Sequence, residues 1–548
     1  MTADYDLIIV GAGMVGGILA THLASGTRIL ILESGEKGPP RAELVGAYVT
    51  APAKTMGAPY HGRDGDRFSP SPDTPTDYYD QPGADKFKAT YQRRYGGSTW
   101  HWRGNVPRLI PSDFQMQTLY KVGVDWPLTY TDLEPWYGIA EKEIGVSGDH
   151  AEWDGYLGAK RSTDYPMSKI WPAYGDTVVK PLLDGAMLED REVHVMSTPQ
   201  ARNSQPYDDA PPCAGNSTCD PICPIGAKYD ATRHLNRAAQ AGVEIRTQSV
   251  VTRLHVDVDG RVRQVTYRTW DGVDHTAKGR VVIVTAHAIE TPKLLLMSRT
   301  NEIPEGVANR SGQVGRNLMD HLQGQAAAVL PMPVYPFRGP PTTSGIDAFR
   351  DGPFRATSSA FRMSVGNDGW GLVQGPYATA LELIREEKLF GKALRQRIRD
   401  VITRQFRLSY STETLPHPDN RVTLSPQQDA LGIPRPLISF QLSDYNRRGF
   451  EMGRRVVRAL FERLGATDIA MPVDANLYSA ANHIMGTCRM GTSANTSVVD
   501  PEGRSHDHPN LFILGGSTFP TCGTANPSLT IVALTLRSLG AIKRELAA

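Results

Sequence analysis

The chain has 548 residues, 40% of them apolar, and 59 Lys and Arg against 58 Asp and Glu leave a net charge of +1 at neutral pH. So even a balance excludes the electrostatic footprint of a nucleic-acid-binding protein or of one drawn to anionic membranes. With no run of roughly 18 apolar residues to form a transmembrane helix, the composition predicts a globular protein of about two to four domain-sized units that acts on a small molecule.

The first element is an apolar strand, Leu7-Ile-Ile-Val10, which runs into Gly11-Ala-Gly13-Met-Val-Gly16, a helical stretch and a second strand, Arg28-Ile-Leu-Ile-Leu-Glu33. That order is the one a dinucleotide-binding βαβ unit requires. Gly11 permits the tight turn, Gly13 lets the backbone approach a pyrophosphate, and Gly16 lets the helix pack on the strand. Glu33 stands 20 residues after Gly13, where a carboxylate accepts hydrogen bonds from a ribose diol and repels a 2′-phosphate. Asp4 and Asp6 precede the strand without a basic leader, so the apolar run reads as the nucleotide strand and not a signal peptide, and the expected location is the cytoplasm.

Gly, Pro and Asp crowd residues 56–85 and 200–228, and Pro recurs through 331–345; these stretches read as long excursions between core elements. Substrate specificity is expected in the loops near 56–85 and 331–380. Strands are predicted over 243–246, 249–256, 262–268 and 280–285. The last leads into Ala286-His-Ala-Ile-Glu-Thr-Pro292-Lys-Leu-Leu-Leu-Met297, a second strand-to-helix junction about 270 residues after the first. A distant segment therefore returns to the nucleotide sheet, and the nucleotide domain is discontinuous. Residues 388–404 place apolar side chains at helical spacing among charges and read as a solvated amphipathic helix. Of five cysteines, Cys213, Cys219 and Cys223 lie close together, whereas Cys488 and Cys522 stand alone and read as packing residues. Three neighbouring thiolates can hold an iron–sulfur cluster, while zinc lacks a nearby fourth ligand.

The opening unit is joined by Tyr95-Gly-Gly-Ser-Thr-Trp-His101-Trp, Ile289-Glu-Thr-Pro-Lys-Leu-Leu, Val314-Gly-Arg-Asn-Leu-Met-Asp-His321 and a C-terminal group. That group is His483-Ile-Met-Gly-Thr-Cys-Arg-Met-Gly491, Asn510-Leu-Phe-Ile-Leu-Gly-Gly-Ser517 and Thr524-Ala-Asn526-Pro-Ser-Leu-Thr. Together these stretches resemble the glucose-methanol-choline (GMC) family of flavin oxidoreductases over nearly the whole chain. The resemblance implies FAD as the dinucleotide. It also implies a discontinuous, Rossmann-like α/β FAD-binding domain over 1–110, 195–325 and 480–548, with an α+β substrate-binding domain carrying a large antiparallel sheet over 111–194 and 326–479. One departure is His287, where the family's second signature usually opens with glycine. Val124-Asp125-Trp-Pro-Leu, Asp132-Leu-Glu-Pro-Trp-Tyr and Ala201-Arg-Asn-Ser-Gln-Pro-Tyr look like the branch containing bacterial glucose and fructose dehydrogenase flavin subunits. Ala525-Asn526-Pro527 looks more like pyranose oxidases and bacterial glycoside 3-oxidases.

Oxidising an alcohol with flavin needs a neutral base beside the flavin, and imidazole suits that task near pH 7. The resemblance implies His483 as this base, Asn526 as the companion that orients the substrate oxygen, and Pro527 as the residue fixing the turn at the flavin. It further implies cofactor contacts at Gly11, Gly13, Gly16, Glu33, Gly96, Gly97, His101, Val250, Gly516, Asn526 and Pro527. His101 matches a histidine that pyranose oxidases link to the flavin and that the dehydrogenases carry without an obligatory link. Cys213, Cys219 and Cys223 match the first, third and fourth cysteines of a segment that binds a three-iron cluster in the dehydrogenases, the second being Ala214 here. A cluster and a metal-free cysteine loop both stay open. The expected reaction is oxidation of a secondary hydroxyl, at carbon 3 or 2 of a pyranose sugar or glycoside, to a ketosugar, with oxygen or a quinone as acceptor. The alternative is the flavin subunit of a sugar dehydrogenase complex. It would pass electrons through the cluster to a cytochrome and reach the periplasm with a small partner subunit.

Overall fold

A computed structural model of the chain describes residues 3–52, 55–60, 78–368 and 375–548, so parts of both expected specificity loops lie outside the described residues. In chain order, the elements that position the site begin with β1 (Tyr5–Val10), α1 (Met14–Leu23), β2 (Ile29–Leu32), β3 (Val195–Ser197), α2 (Thr232–Gln240) and β4 (Glu244–Arg246). Next come β5 (Ser249–Val256), β6 (Val262–Thr269), β7 (Asp274–Val284), α3 (His287–Met297), β8 (Leu322–Val329) and β9 (Thr342–Ile346). The rest are β10 (Phe361–Gly366), β11 (Gln405–Thr412), α4 (Asp444–Arg463), β12 (Thr467–Ala470), β13 (Leu511–Ile513) and α5 (Ser528–Ala547).

The first sheet has seven strands in the order β4-β2-β1-β7-β6-β5, with β13 also on β7. Its centre is parallel, Ile8 of β1 lying opposite Leu30 and Val282. Such strands read as unbroken Val, Ile and Leu because both of their faces are covered. On one side Leu7, Ile9 and Ile31 pack with Leu19 of α1 and Leu235 of α2. On the other, Ile8, Leu30 and Val282 pack with Val532 and Leu536 of α5. The parallel strands come from residues 5–32, 244–284 and 511–513, so this sheet is assembled from three distant parts of the chain. Strand β7 starts at Asp274, six residues before the sequence places it, because its first half pairs antiparallel with β6 in an exposed hairpin.

The second sheet also has seven strands, ordered β12-β8-β11-β10-β9-β3 with Ser479–Ala480 added on β8, and its pairings are antiparallel. Its strands alternate, as a sheet with one buried and one polar face must. Leu322, Phe361, Met363, Leu408 and Tyr410 form a core with Phe450, Val456 and Leu460 of α4. The helix expected over 388–404 is shorter and preceded by a second one. Gly375–Arg385 and Gly391–Ile402 are helical, and between them Lys388 takes a left-handed φ of 54° that interrupts the spiral. Among the described residues no helix is long and apolar enough to cross a membrane.

Candidate active site

A cavity of about 510 Å³ lies between the two sheets and is lined from both. At its nucleotide end the backbone turns sharply at Gly11, with φ of 106°, and a Cβ on Gly16 would stand 2.1 Å from the Gly11 carbonyl oxygen. Gly13 caps α1 without a side-chain hydrogen bond, and a Cβ there would project into open space. The N-terminal amides of α1 thus face an open cradle, an anion site by dipole and donor count, and the donor set fits a pyrophosphate. Glu33 is buried, and its two carboxylate oxygens accept from the amides of Ala12 and Gly35, both at 2.8 Å. Burial raises its pKa against the pull of those amides. Gly96, Gly97, Val250, Gly516 and Pro527 line the same cavity, while Gly16 acts from behind as a packing residue.

His101 also lines the cavity, and neither of its ring nitrogens has a hydrogen-bond partner among the described residues. Burial, then the charges of Arg94 and Lys228, hold it neutral with its pKa well below the usual histidine range. His287, at the start of α3, takes a left-handed φ of 70° and stacks on Tyr91 with ring centroids 4.5 Å apart. That backbone conformation is the physical reason a glycine suits this position, and the stacking shows how a histidine is accommodated.

The opposite end of the cavity holds the proton-transfer machinery. His321 Nε2 lies 2.9 Å from the Gly523 carbonyl oxygen, which can only accept, so Nε2 carries the proton and Nδ1 of the neutral ring is an acceptor. His483 Nδ1 stands 3.0 Å from that His321 Nδ1 and must therefore donate to it. By elimination His483 Nε2 carries the lone pair, and it accepts from Asn526 Nδ2 at 3.0 Å. Asn526 in turn is oriented by Arg362, whose Nη1 donates to Asn526 Oδ1 at 3.4 Å. The backbone amide of His483 is held by Asp320 Oδ1 at 2.6 Å. Burial pushes His321 down to about 4, and burial with His321 and Arg362 keeps His483 well below its ordinary value. The arrangement places a neutral base at the cavity wall, its Nε2 lone pair engaged by the Asn526 amide.

The sequence singles out His483 and Asn526, and the fold brings them into contact although 43 residues separate them. It gives His321, Arg362 and Asp320 no role. His321 and Asp320 end a quoted motif, but a motif does not say which nitrogen faces which. Arg362 alternates with Phe361 and Met363 on β10, a period of two that marks it as lying on the polar face.

Cys219 and Cys223 are buried and Cys213 is half-buried in one loop, all as free thiols. Lys228 is buried beside them, donating to the carbonyls of Trp100, Trp102 and Cys219, and burial lowers it to about 8. Among the described residues, no three His, Cys, Asp or Glu side chains are gathered closely enough to hold a single metal ion. Cys488 and Cys522 are fully buried, and burial raises both thiols.

Family models described as GMC oxidoreductase match residues 195–323 and 416–535. The chain is 33% identical to the fructose dehydrogenase large subunit of Gluconobacter japonicus over 100% of its own length and 99% of that protein. It is 29% identical to paromamine 6'-oxidase of Streptomyces fradiae, covering 99% of this chain and 92% of the relative. It is 25% identical to a C-glycoside 3-oxidase of Microbacterium trichothecenolyticum, covering 100% and 98%. The solved structure of pyridoxine 4-oxidase from Mesorbium loti superposes with a TM-score of 0.63 at 18% identity, over 98% of this chain and 99% of that one, which speaks for the fold alone.

Proposed function

The chain belongs to the GMC oxidoreductase family, FAD-dependent enzymes acting on CH–OH groups, and from that premise we propose that it oxidises a secondary hydroxyl of a pyranose sugar or glycoside, at carbon 3 or carbon 2, to a ketosugar. The observation that carries the reading is the unprotonated Nε2 of His483, hydrogen-bonded to Asn526 and facing a cavity that joins the nucleotide cradle to a polar sheet. FAD, once bound, supplies the hydride acceptor; Gly11, Gly13 and Glu33 would hold its dinucleotide half. His483 Nε2 takes the hydroxyl proton, and the Asn526 amide holds the substrate oxygen as negative charge develops on it. Arg362 adds a fixed positive charge beside that oxygen. Oxygen or a quinone removes the electrons, and the enzyme works in the cytoplasm.

A second reading is favoured by the full-length similarity to a dehydrogenase subunit together with the cysteine trio. In it the chain serves a cytochrome partner in the periplasm, and Cys213, Cys219 and Cys223 would be the ligands of a three-iron cluster that supplies the electron relay. One experiment tests both: absorption and EPR spectra of the purified protein before and after anaerobic addition of glucose or an aryl glucoside. Flavin bleaching without an iron signal supports the self-contained enzyme; bleaching with an iron signal supports the relay. A flavin that no sugar bleaches removes both. Acid precipitation of the same sample reads the state of His101, a yellow supernatant meaning that no covalent bond holds the flavin.

A further inference from the structure

The polar face of the second sheet is built as a grid. Across β8, β11 and β10, Gln323 lies opposite Ser411 and Ser411 opposite Arg362; two residues along, Gln325 lies opposite Ser409 and Ser409 opposite Ser364. All six side chains line the cavity. On the next strand Ser364 faces Gly345, where a Cβ would stand 2.9 Å from the Arg362 guanidinium, so a glycine keeps the grid level and open.

The grid is undersatisfied. Gln325 Nε2 donates to Gln323 Oε1 at 2.9 Å, leaving the Nε2 of Gln323 and the Oε1 of Gln325 to the cavity. The hydroxyls of Ser364, Ser409 and Ser411 have no hydrogen-bond partner among the described residues. Short neutral side chains that each donate and accept match the hydroxyls of a sugar ring, which do the same. The grid's edge is also fixed to the chemistry, because Arg362 is the residue that donates to Asn526.

Its charge is equally informative. The carboxylates lining the cavity among the described residues are Glu33, Asp220 and Glu290. Glu33 is bound by backbone amides at the nucleotide end, and Glu290 is paired with Arg93 at 2.6 Å and Lys293 at 2.8 Å. Asp220 faces Arg103 at 3.5 Å, with the Lys228 charge nearby. The group that points at the reacting end is the cation Arg362, tied to Asp347 at 3.2 Å. No carboxylate of the grid is left to receive an ammonium.

We propose that this Gln–Ser–Arg grid is the sugar subsite and that it selects neutral polyhydroxy rings over aminated ones. The proposal rests on the reaction proposed above and adds the class of sugar. A substrate ammonium would lose water beside Arg362 without gaining an anion, and like charges brought together are costly.

The test compares kcat/KM for methyl glucoside, its 6-deoxy derivative and its 6-amino-6-deoxy derivative at pH 7, with carbons 2 and 3 intact in all three. The expected result is a loss of about a hundredfold or more for the amino sugar, with the neutral 6-deoxy sugar within roughly tenfold of the parent. Ser364→Ala and Ser409→Ala should each raise KM for the parent by about threefold to tenfold. Ser364→Asp should narrow the gap between amino and neutral sugars by about tenfold. An amino sugar used as well as the parent overturns the selectivity, and unchanged KM in both alanine variants overturns the subsite. If neither neutral sugar reduces the flavin, the proposed reaction itself fails and takes this inference with it, an outcome distinct from the other two.

Discussion

At His483 one nitrogen decides the chemistry, and its state is set two hydrogen bonds away by a backbone carbonyl. The Gly523 oxygen fixes the His321 proton, His321 fixes that of His483, and Nε2 is left as base. His483→Ala should lower kcat by about 10² to 10⁴ with flavin still bound, measured by steady-state turnover against flavin absorbance. His321→Ala should act indirectly. His321 is among the groups that keep the His483 pKa down, after burial, so removing it and admitting water moves that pKa up toward its ordinary value of 6.5. The base works deprotonated, so the acid limb of the kcat/KM profile should move to higher pH. An unmoved limb with normal kcat would show that His321 only fills space.

The helix that opens the nucleotide unit separates two uses of glycine. A Cβ on Gly16 meets the Gly11 carbonyl at 2.1 Å, while one on Gly13 meets nothing and enters the cradle. Gly16→Ala should lower the melting point of the flavin-free protein, whereas Gly13→Ala should leave it unchanged and weaken FAD binding, as a fluorescence titration would read. In the second sheet, Gly324 on β8 and Gly453 on α4 clamp the Tyr410 ring, ideal Cβ atoms lying 2.1 and 2.4 Å from it. Gly453→Val should cost about 1–3 kcal/mol by overpacking, read from denaturant unfolding.

Across the whole molecule both sheets contribute to the one cavity, with strand-borne side chains on one side and a glycine-lined turn on the other. A dinucleotide filling that space binds the folded chain and not the unfolded one. Adding FAD at a thousandfold excess over its Kd should therefore raise stability by about 4 kcal/mol, visible as a concentration-dependent rise in Tm. No dependence on FAD would mean that the cradle stays empty. The same cavity joins residues from positions 10 to 531 of the chain, so the site is a property of the assembled protein and of no single segment.

The opening βαβ unit was legible because its signals are local: an apolar strand, glycines at fixed spacing, a helix and an acid read the same in sequence and in space. The return of residues 280–284 to that sheet was legible too, since a strand buried on both faces is an unbroken apolar run. Helix ends were less so, as the left-handed turn at Lys388 shows, because a single backbone torsion leaves little trace in composition. What the sequence by itself determined is the nucleotide cradle, the family, and the candidates His483 and Asn526. What only the tertiary structure decided is the direction of the proton chain through His321, the orientation of Asn526 by Arg362, and the registry that sets Gln323, Ser411 and Arg362 in one row. The physical reason is range. Propensity and burial act on neighbours along the chain, whereas hydrogen-bond direction and cross-strand register exist only once segments some hundred residues apart have been packed side by side.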